Sequence, residues 1–185
     1  QPSVARIFDV VAIKAWSENE TRGFFHDTFE KVGIRCDEDA LNEMTRYAGG
    51  LPVLAHEIGD AAFAADRDGV IDADDAMSGT LTAADRVGSR YLDPVVYRSM
   101  RSPRYRAILR HLARELENAE FTRSTVRSSL PEAERQVFDN FLTKMKKLGV
   151  IIMDSEGERG AYKFGTSLHY LYFFLEAVRA EKTGK

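Results

Sequence analysis

Two stretches of this chain carry residues whose type and spacing can engage a ligand. The first is Ala48-Gly49-Gly50-Leu51-Pro52. Paired glycines permit close backbone approach, and a proline at the first helical position opens a helix whose free N–H groups can face an anion or a purine ring. The same residues also serve as a plain corner between two helices. The second stretch is 131–148, with Lys144, Lys146 and Lys147 clustered at its end. In a helix that reads DNA, such cations meet base edges or phosphates; at a helix C-terminus they also complement the dipole. Arg123, Arg127 and Arg135 upstream and Arg159 downstream extend this basic set of DNA-binding candidates. Asp154, Glu156 and Glu158 lie around Arg159 and would oppose phosphate.

Covalent and metal chemistry find little support. The four histidines, His26, His56, His111 and His169, are far apart in sequence and form no ligand pattern with one another or with the lone Cys36, so no metal site is expected. Cys36 has no local basic partner and reads as a packed thiol. Asp74-Asp75 and Glu18/Glu20 sit at helix starts, where capping explains them. Neither a nucleophile elbow, Gly-x-Ser-x-Gly, nor a Walker A loop, Gly-x-x-x-x-Gly-Lys-Ser/Thr, occurs. The expected catalytic set is therefore empty.

The elements that position these residues can be read from caps and periodicity. Val4 to Ile13 is rich in β-branched residues and predicts a strand. Ser17-Glu18-Asn19-Glu20 is a capping box that opens a helix with Phe24, Phe25, Phe29 and Val32 at helical spacing. Asp37 opens a second helix, ended by Gly49-Gly50; Pro52 opens a third, reaching to about Asp68; Asp72 caps a fourth. Residues 17 to about 90 thus predict a four-helix bundle. Arg101-Ser102-Pro103-Arg104 is a junction. Beyond it come a helix with Ile108, Leu109 and Leu112, an extended step at Glu120-Phe121-Thr122, a short helix capped by Thr122, and a longer helix from Pro131 to Leu148. The strands Val150–Met153 and Ala161–Phe164 flank a glycine-punctuated turn, and a last helix from Ser167 is rich in Leu and aromatic residues. This order is that of a winged helix-turn-helix with a two-stranded wing.

Charge is uneven. Residues 1–102 carry 11 basic and 18 acidic side chains, a balance of −7, whereas 103–185 carry 15 and 11, a balance of +4. The basic half is compatible with a polyanion partner but lacks the strongly basic stripe of committed nucleic-acid binders. No apolar run approaches the roughly 20 residues that span a bilayer, so no membrane partner and a cytoplasmic location are expected.

Taken in order, Arg6-Ile7-Phe8-Asp9-Val10-Val11-Ala12-Ile13-Lys14, Ser17-Glu18-Asn19-Glu20, Tyr47-Ala48-Gly49-Gly50-Leu51-Pro52, Ser102-Pro103-Arg104-Tyr105-Arg106-Ala107-Ile108-Leu109, and Leu148-Gly149-Val150-Ile151 with Tyr162-Lys163-Phe164 cover nearly the whole chain. The series resembles the C-terminal half of archaeal AAA+/STAND-type ATPases, including those related to Orc1/Cdc6. The resemblance implies a mainly α fold: 1–16 as the terminal strand of an ATPase core, 17–101 as the helical lid and 102–185 as the winged helix. It implies that Gly50, Leu51 and Pro52 cover the nucleotide from the lid side, and that ATP belongs to the whole protein rather than to this portion alone. The partners it implies are an upstream ATPase core and either double-stranded DNA or a protein. Two features depart from the pattern. No arginine lies in the first turns after Pro52, where only His56 is basic, and Gly165-Thr166-Ser167 stands where some STAND proteins carry Met-His-Asp. A free-standing winged-helix regulator and a protein-binding adaptor are the competing expectations.

Overall fold

The computed structural model describes residues 14–97, 99–100, 102–115, 120–154 and 160–182. The strand expected over 4–13 and Arg159 lie outside the described residues. Helix α1 (Glu18–Lys31) starts where the capping box places it: the Glu20 N–H donates to the Ser17 hydroxyl at 3.3 Å, and the Ser17 N–H donates to the Glu20 carboxylate at 2.7 Å. These reciprocal bonds satisfy donors that the helix leaves unpaired. Strand β1 (Arg35–Cys36) leads to α2 (Glu38–Ala48), preceded by Asp37, whose side chain makes no capping bond.

After the corner comes α3 (Pro52–Ala65), which stops at Asp66. One Asp66 carboxylate oxygen accepts from the N–H groups of Asp68, Gly69 and Val70, turning the chain into β2 (Val70–Ile71). The two short strands pair in parallel, Arg35 opposite Val70 and Cys36 opposite Ile71. Each ends at an aspartate that starts the next helix, and Asp72 forms a second reciprocal capping box with Asp75 at the start of α4 (Ala73–Leu92).

Helix α4 is shared between the two halves of the chain. Its buried face is lined by small residues, among them Ala76, Gly79, Ala83, Ala84 and Gly88. A β-carbon at Gly79 would stand 2.6 Å from the Ala62 nitrogen of α3, and one at Gly88 would stand 2.1 Å from a Tyr172 ring carbon. One helix therefore makes two backbone-level approaches that a larger side chain would prevent. At Asp93-Pro94 the chain does not break but forms a π-helical turn, Asp93–Tyr97, that prolongs α4. Proline has no N–H to place in the α ladder, and a widened turn is where helices absorb such a residue.

The second half runs α5 (Pro103–Glu115), β3 (Glu120–Thr122), α6 (Arg123–Ser129), α7 (Glu132–Arg135), α8 (Phe138–Lys147), β4 (Ile151–Met153), β5 (Ala161–Phe164) and α9 (Ser167–Lys182). The wing strands β4 and β5 are antiparallel, with Ile152 opposite Lys163, and the extended step becomes a third strand on the other side of β5, with Phe121 opposite Tyr162. The result is a helical bundle followed by a winged-helix-like part. The helix expected over 131–148 is in two pieces. At Val137 the ladder tightens, its N–H donating to Glu134 rather than to residue 133, and the break sets Phe138, Phe141 and Met145 fully inside the core. A continuous hydrophobic cluster runs from Phe25 and Leu41 through Val87 and Ile108 to Phe141 and Phe173. Helix α9 buries Leu168, Leu171, Tyr172 and Phe173, and it packs on both α4 and α5.

Candidate functional site

The corner between α2 and α3 is built by two consecutive left-handed residues, Gly49 at φ 55° and Gly50 at φ 71°. Side chains rarely adopt that region, so glycine is the fitting residue at both positions. The Gly49 N–H closes α2 onto the Thr45 carbonyl, and the Leu51 N–H donates to the Ala48 carbonyl at 2.9 Å. Pro52 is the first residue of α3, as its fixed φ favours. Leu51 offers no capping side chain and the first turn holds no acidic residue, so no side chain there offsets the positive end of the helix.

Both glycines are in close contact with distant parts of the chain. The Trp16 N–H donates to the Gly50 carbonyl at 2.8 Å. A β-carbon on Gly50 would stand 2.3 Å from the Trp16 carbonyl oxygen, and one on Gly49 would stand 2.9 Å from the Ser167 hydroxyl. That hydroxyl donates to the Tyr47 carbonyl at 2.6 Å. Ser167 is the first residue of α9, so the corner joins the segment before α1 to the last helix. The Trp16 ring packs 5.3 Å from Phe24 and 6.4 Å from His56, and His56 meets Phe24 edge-on at 4.6 Å. Beyond them an apolar groove of about 280 Å³ runs between α1 and α3, with Val32 60% and Phe63 50% exposed on its edges.

The basic candidates are scattered among specific partners. Arg123 and Arg127 both pair with Asp139 of α8, at 2.7 and 3.1 Å. Arg135 pairs with Glu132 and donates to the Leu130 carbonyl. Lys144 turns back to donate to the Ser99 carbonyl, and the Lys146 ammonium lies 5.7 Å from the Tyr162 ring centroid. Lys147 is exposed at the end of α8. Asp154, read from sequence as part of an acidic wing, is instead buried and pairs with Lys163 at 2.9 Å. The exposed start of α7 is acidic, with Glu132 and Glu134 on it.

Other titratable groups are set by burial. Burial, reinforced by the Asp37 carboxylate, pushes the Cys36 thiol up to about 11, so it is protonated at neutral pH. Burial pushes the His169 imidazole down to about 4, and its Nδ1 shares a hydrogen bond with the Thr166 hydroxyl at 2.8 Å. Among the described residues, His26, Asp27 and Glu30 bring ligand-type atoms within 4.8 Å of one another on the exposed side of α1. Sequence reasoning missed Ser167 and Asp139 as organising residues. Asp139 carried no local signal, because its partners Arg123 and Arg127 lie on another helix, and the start of α8 that places it is set by tertiary packing.

No protein-family model matches this chain, and no curated protein matches it. Its fold is similar to that of a Walker-type ATPase of Pyrococcus abyssi, with a TM-score of 0.60 and 22% identity over 87% of this chain. The match spans 43% of the ATPase chain, less than half its length. At this identity the likeness is one of fold.

Proposed function

We propose that this chain acts as the lid and winged-helix-like part of a Walker-type ATPase, closing over ATP held by a separate upstream core and passing the nucleotide state to a protein partner. The observation that carries the reading is the position of Gly49 and Gly50 between Trp16 and Ser167. The fold likeness to part of an archaeal Walker-type ATPase supports it. Leu51 and Pro52 are half-buried and Val53 is exposed, giving an apolar ledge beside an uncapped helix start. That ledge suits a base and ribose rather than the phosphates, because no arginine or lysine lies in the first turns of α3. ATP bound at the core would supply the phosphoryl chemistry. The residues of this chain hold the base side, exclude water there and transmit the position of the corner.

Transmission follows the contacts. A shift of the corner moves the Tyr47 carbonyl, and with it the Ser167 hydroxyl that starts α9. Helix α9 is fastened to α4 and its π-helical turn by Tyr172 on Asp93 and by Arg179 on Asp85 at 2.7 Å, so it moves as a unit with the elements it clasps. For the winged-helix-like part we favour a protein surface over duplex DNA. Arg135 and Lys144 are engaged inside the domain, and acidic side chains occupy the exposed start of α7, where a DNA reader presents its bases-facing residues.

The test is a calorimetric titration of Mg-ATP into this chain alone and into the polypeptide that includes the residues preceding it in its gene. Binding is expected only in the longer polypeptide, weakened by Gly50→Val. Tight binding by this chain alone, or by the longer polypeptide regardless of Gly50, would overturn the reading. Titration with duplex DNA at low salt is expected to show no binding. A salt-dependent, sequence-specific complex would assign the winged-helix-like part to DNA instead.

A further inference from the structure

Away from the corner, the winged-helix-like part carries an open site of mixed polarity, about 500 Å³, lined by Thr122, Arg123, Ser124, Arg127, Gly160 and Tyr162. Arg123 and Arg127 are four residues apart on α6 and so project from one face. Asp139 of α8 holds both, Arg123 through Nη2 at 2.7 Å and Arg127 through Nη1 at 3.1 Å. Each guanidinium meets the carboxylate through one terminal nitrogen, a small part of its five-donor fork, and the two side chains are 55% and 45% exposed. Asp139 is thus a positioning group that orders two flexible side chains in advance of a ligand. The Arg123 hydrogen bond holds its carboxyl below the usual range, so it stays ionised in that role.

The other walls are fixed. The Thr122 hydroxyl is bonded to those of Ser124 at 3.1 Å and Thr125 at 2.7 Å, and the Tyr162 ring is stacked on Phe121 at 5.7 Å. Among the described residues that line the site, two guanidinium groups face the Asp139 carboxylate that holds them, which leaves a net positive charge. A phosphate monoester carries about −1.5 to −2 at neutral pH, with three acceptor oxygens for which arginine forks are the fitting donors. A duplex offers a row of singly charged phosphates instead, each with two free oxygens rather than three.

We propose that this site binds a phosphate monoester dianion, presented by a phosphorylated serine or threonine of a protein partner. The site is independent of the nucleotide reading of the corner and survives its failure. Amide chemical shifts of the whole chain would be followed during titration with a phosphoserine peptide, its unphosphorylated form, inorganic phosphate, a nucleoside monophosphate and duplex DNA. The phosphoserine peptide is expected to shift the amides of 122–127 and 162, with its unphosphorylated form inert. Inorganic phosphate and the nucleoside monophosphate should shift the same amides with weaker affinity, since they lack the contacts of a peptide chain. Removing one guanidinium by Arg123→Ala or Arg127→Ala should weaken the peptide about tenfold, the scale of one charged hydrogen bond. Arg123→Lys and Arg127→Lys keep the charge and lose the fork; they should also weaken binding, and they serve if the alanine variants do not fold. No shift with any monoester, shifts that persist in the arginine variants, a free phosphate or nucleotide that binds more tightly than the peptide, or duplex DNA that displaces the peptide from these residues would each overturn the proposal.

Discussion

Gly50 sits at φ 71°, and a β-carbon on it would stand 2.3 Å from a main-chain oxygen that cannot swing away. Gly50→Ala therefore combines a strained backbone with a steric clash, and we expect a loss of about 1–3 kcal/mol in urea unfolding. Because Trp16 is the single tryptophan and touches this corner, its emission in the folded state should change as well. An unaltered spectrum would mean that the two segments are not in contact. The buried Thr80 hydroxyl has no hydrogen-bond partner, so Thr80→Val should stabilise the fold, by about 1 kcal/mol, in the same measurement. His169 sets a pH dependence whose sign is fixed. Its folded value of about 4 lies below the ordinary 6.5, so the unfolded chain takes up the proton first as pH falls. Its contribution is present in full above 6.5 and declines between 6.5 and about 4. In His169→Gln, the fall in urea midpoint over that window should be shallower than in the wild type; an equal fall would show that other groups carry it. The capping residues and the Gly-Gly-Leu-Pro corner were legible in the sequence because their chemistry acts on neighbours within a few positions. The bond from Ser167 to Tyr47 was not, because it spans 120 positions and no local rule links them.

Among elements, α4 governs the arrangement. Gly88→Ala should raise intrinsic helix propensity by about 1 kcal/mol yet destabilise the protein, because the new methyl would meet the Tyr172 ring at 2.1 Å. The comparison with Tyr172→Phe separates ring contact from the hydroxyl bond to Asp93: the alanine variant should displace α9, seen as faster amide exchange over 167–182, while the phenylalanine variant should keep α9 in place. Faster exchange in neither variant would contradict the clasp of α9 on α4. Most helices could be read from caps, periodic apolar residues and terminating glycines. The β1–β2 pair could not, since strands of two residues carry no alternation and their pairing depends on where α2 and α4 bring them. The division of α7 from α8 was equally hidden, because the pull that makes it is the burial of Phe138 in a core formed by other elements. The third strand could be read only as an extended step, since its partner lies some 40 residues away in the register of Glu120 with Lys163.

For the molecule as a whole, the contrast in charge between the two halves, −7 and +4, is partly spent across their contact, where Arg179 of α9 binds Asp85 of α4 at 2.7 Å. Such an exposed pair contributes little stability, about 0–1 kcal/mol, and its value is in fixing how α9 lies on α4. Among the described residues no helix is long and apolar enough to cross a membrane. The proposed function predicts that the glycine corner and α9 move together when nucleotide is bound. It is tested by amide hydrogen exchange on the polypeptide that carries both the upstream core and this chain, with and without ATP. Protection is predicted to change together over 49–55 and 167–182, with the two changes uncoupled by Ser167→Ala. A change confined to 49–55, leaving α9 at its nucleotide-free rates, would contradict the coupling.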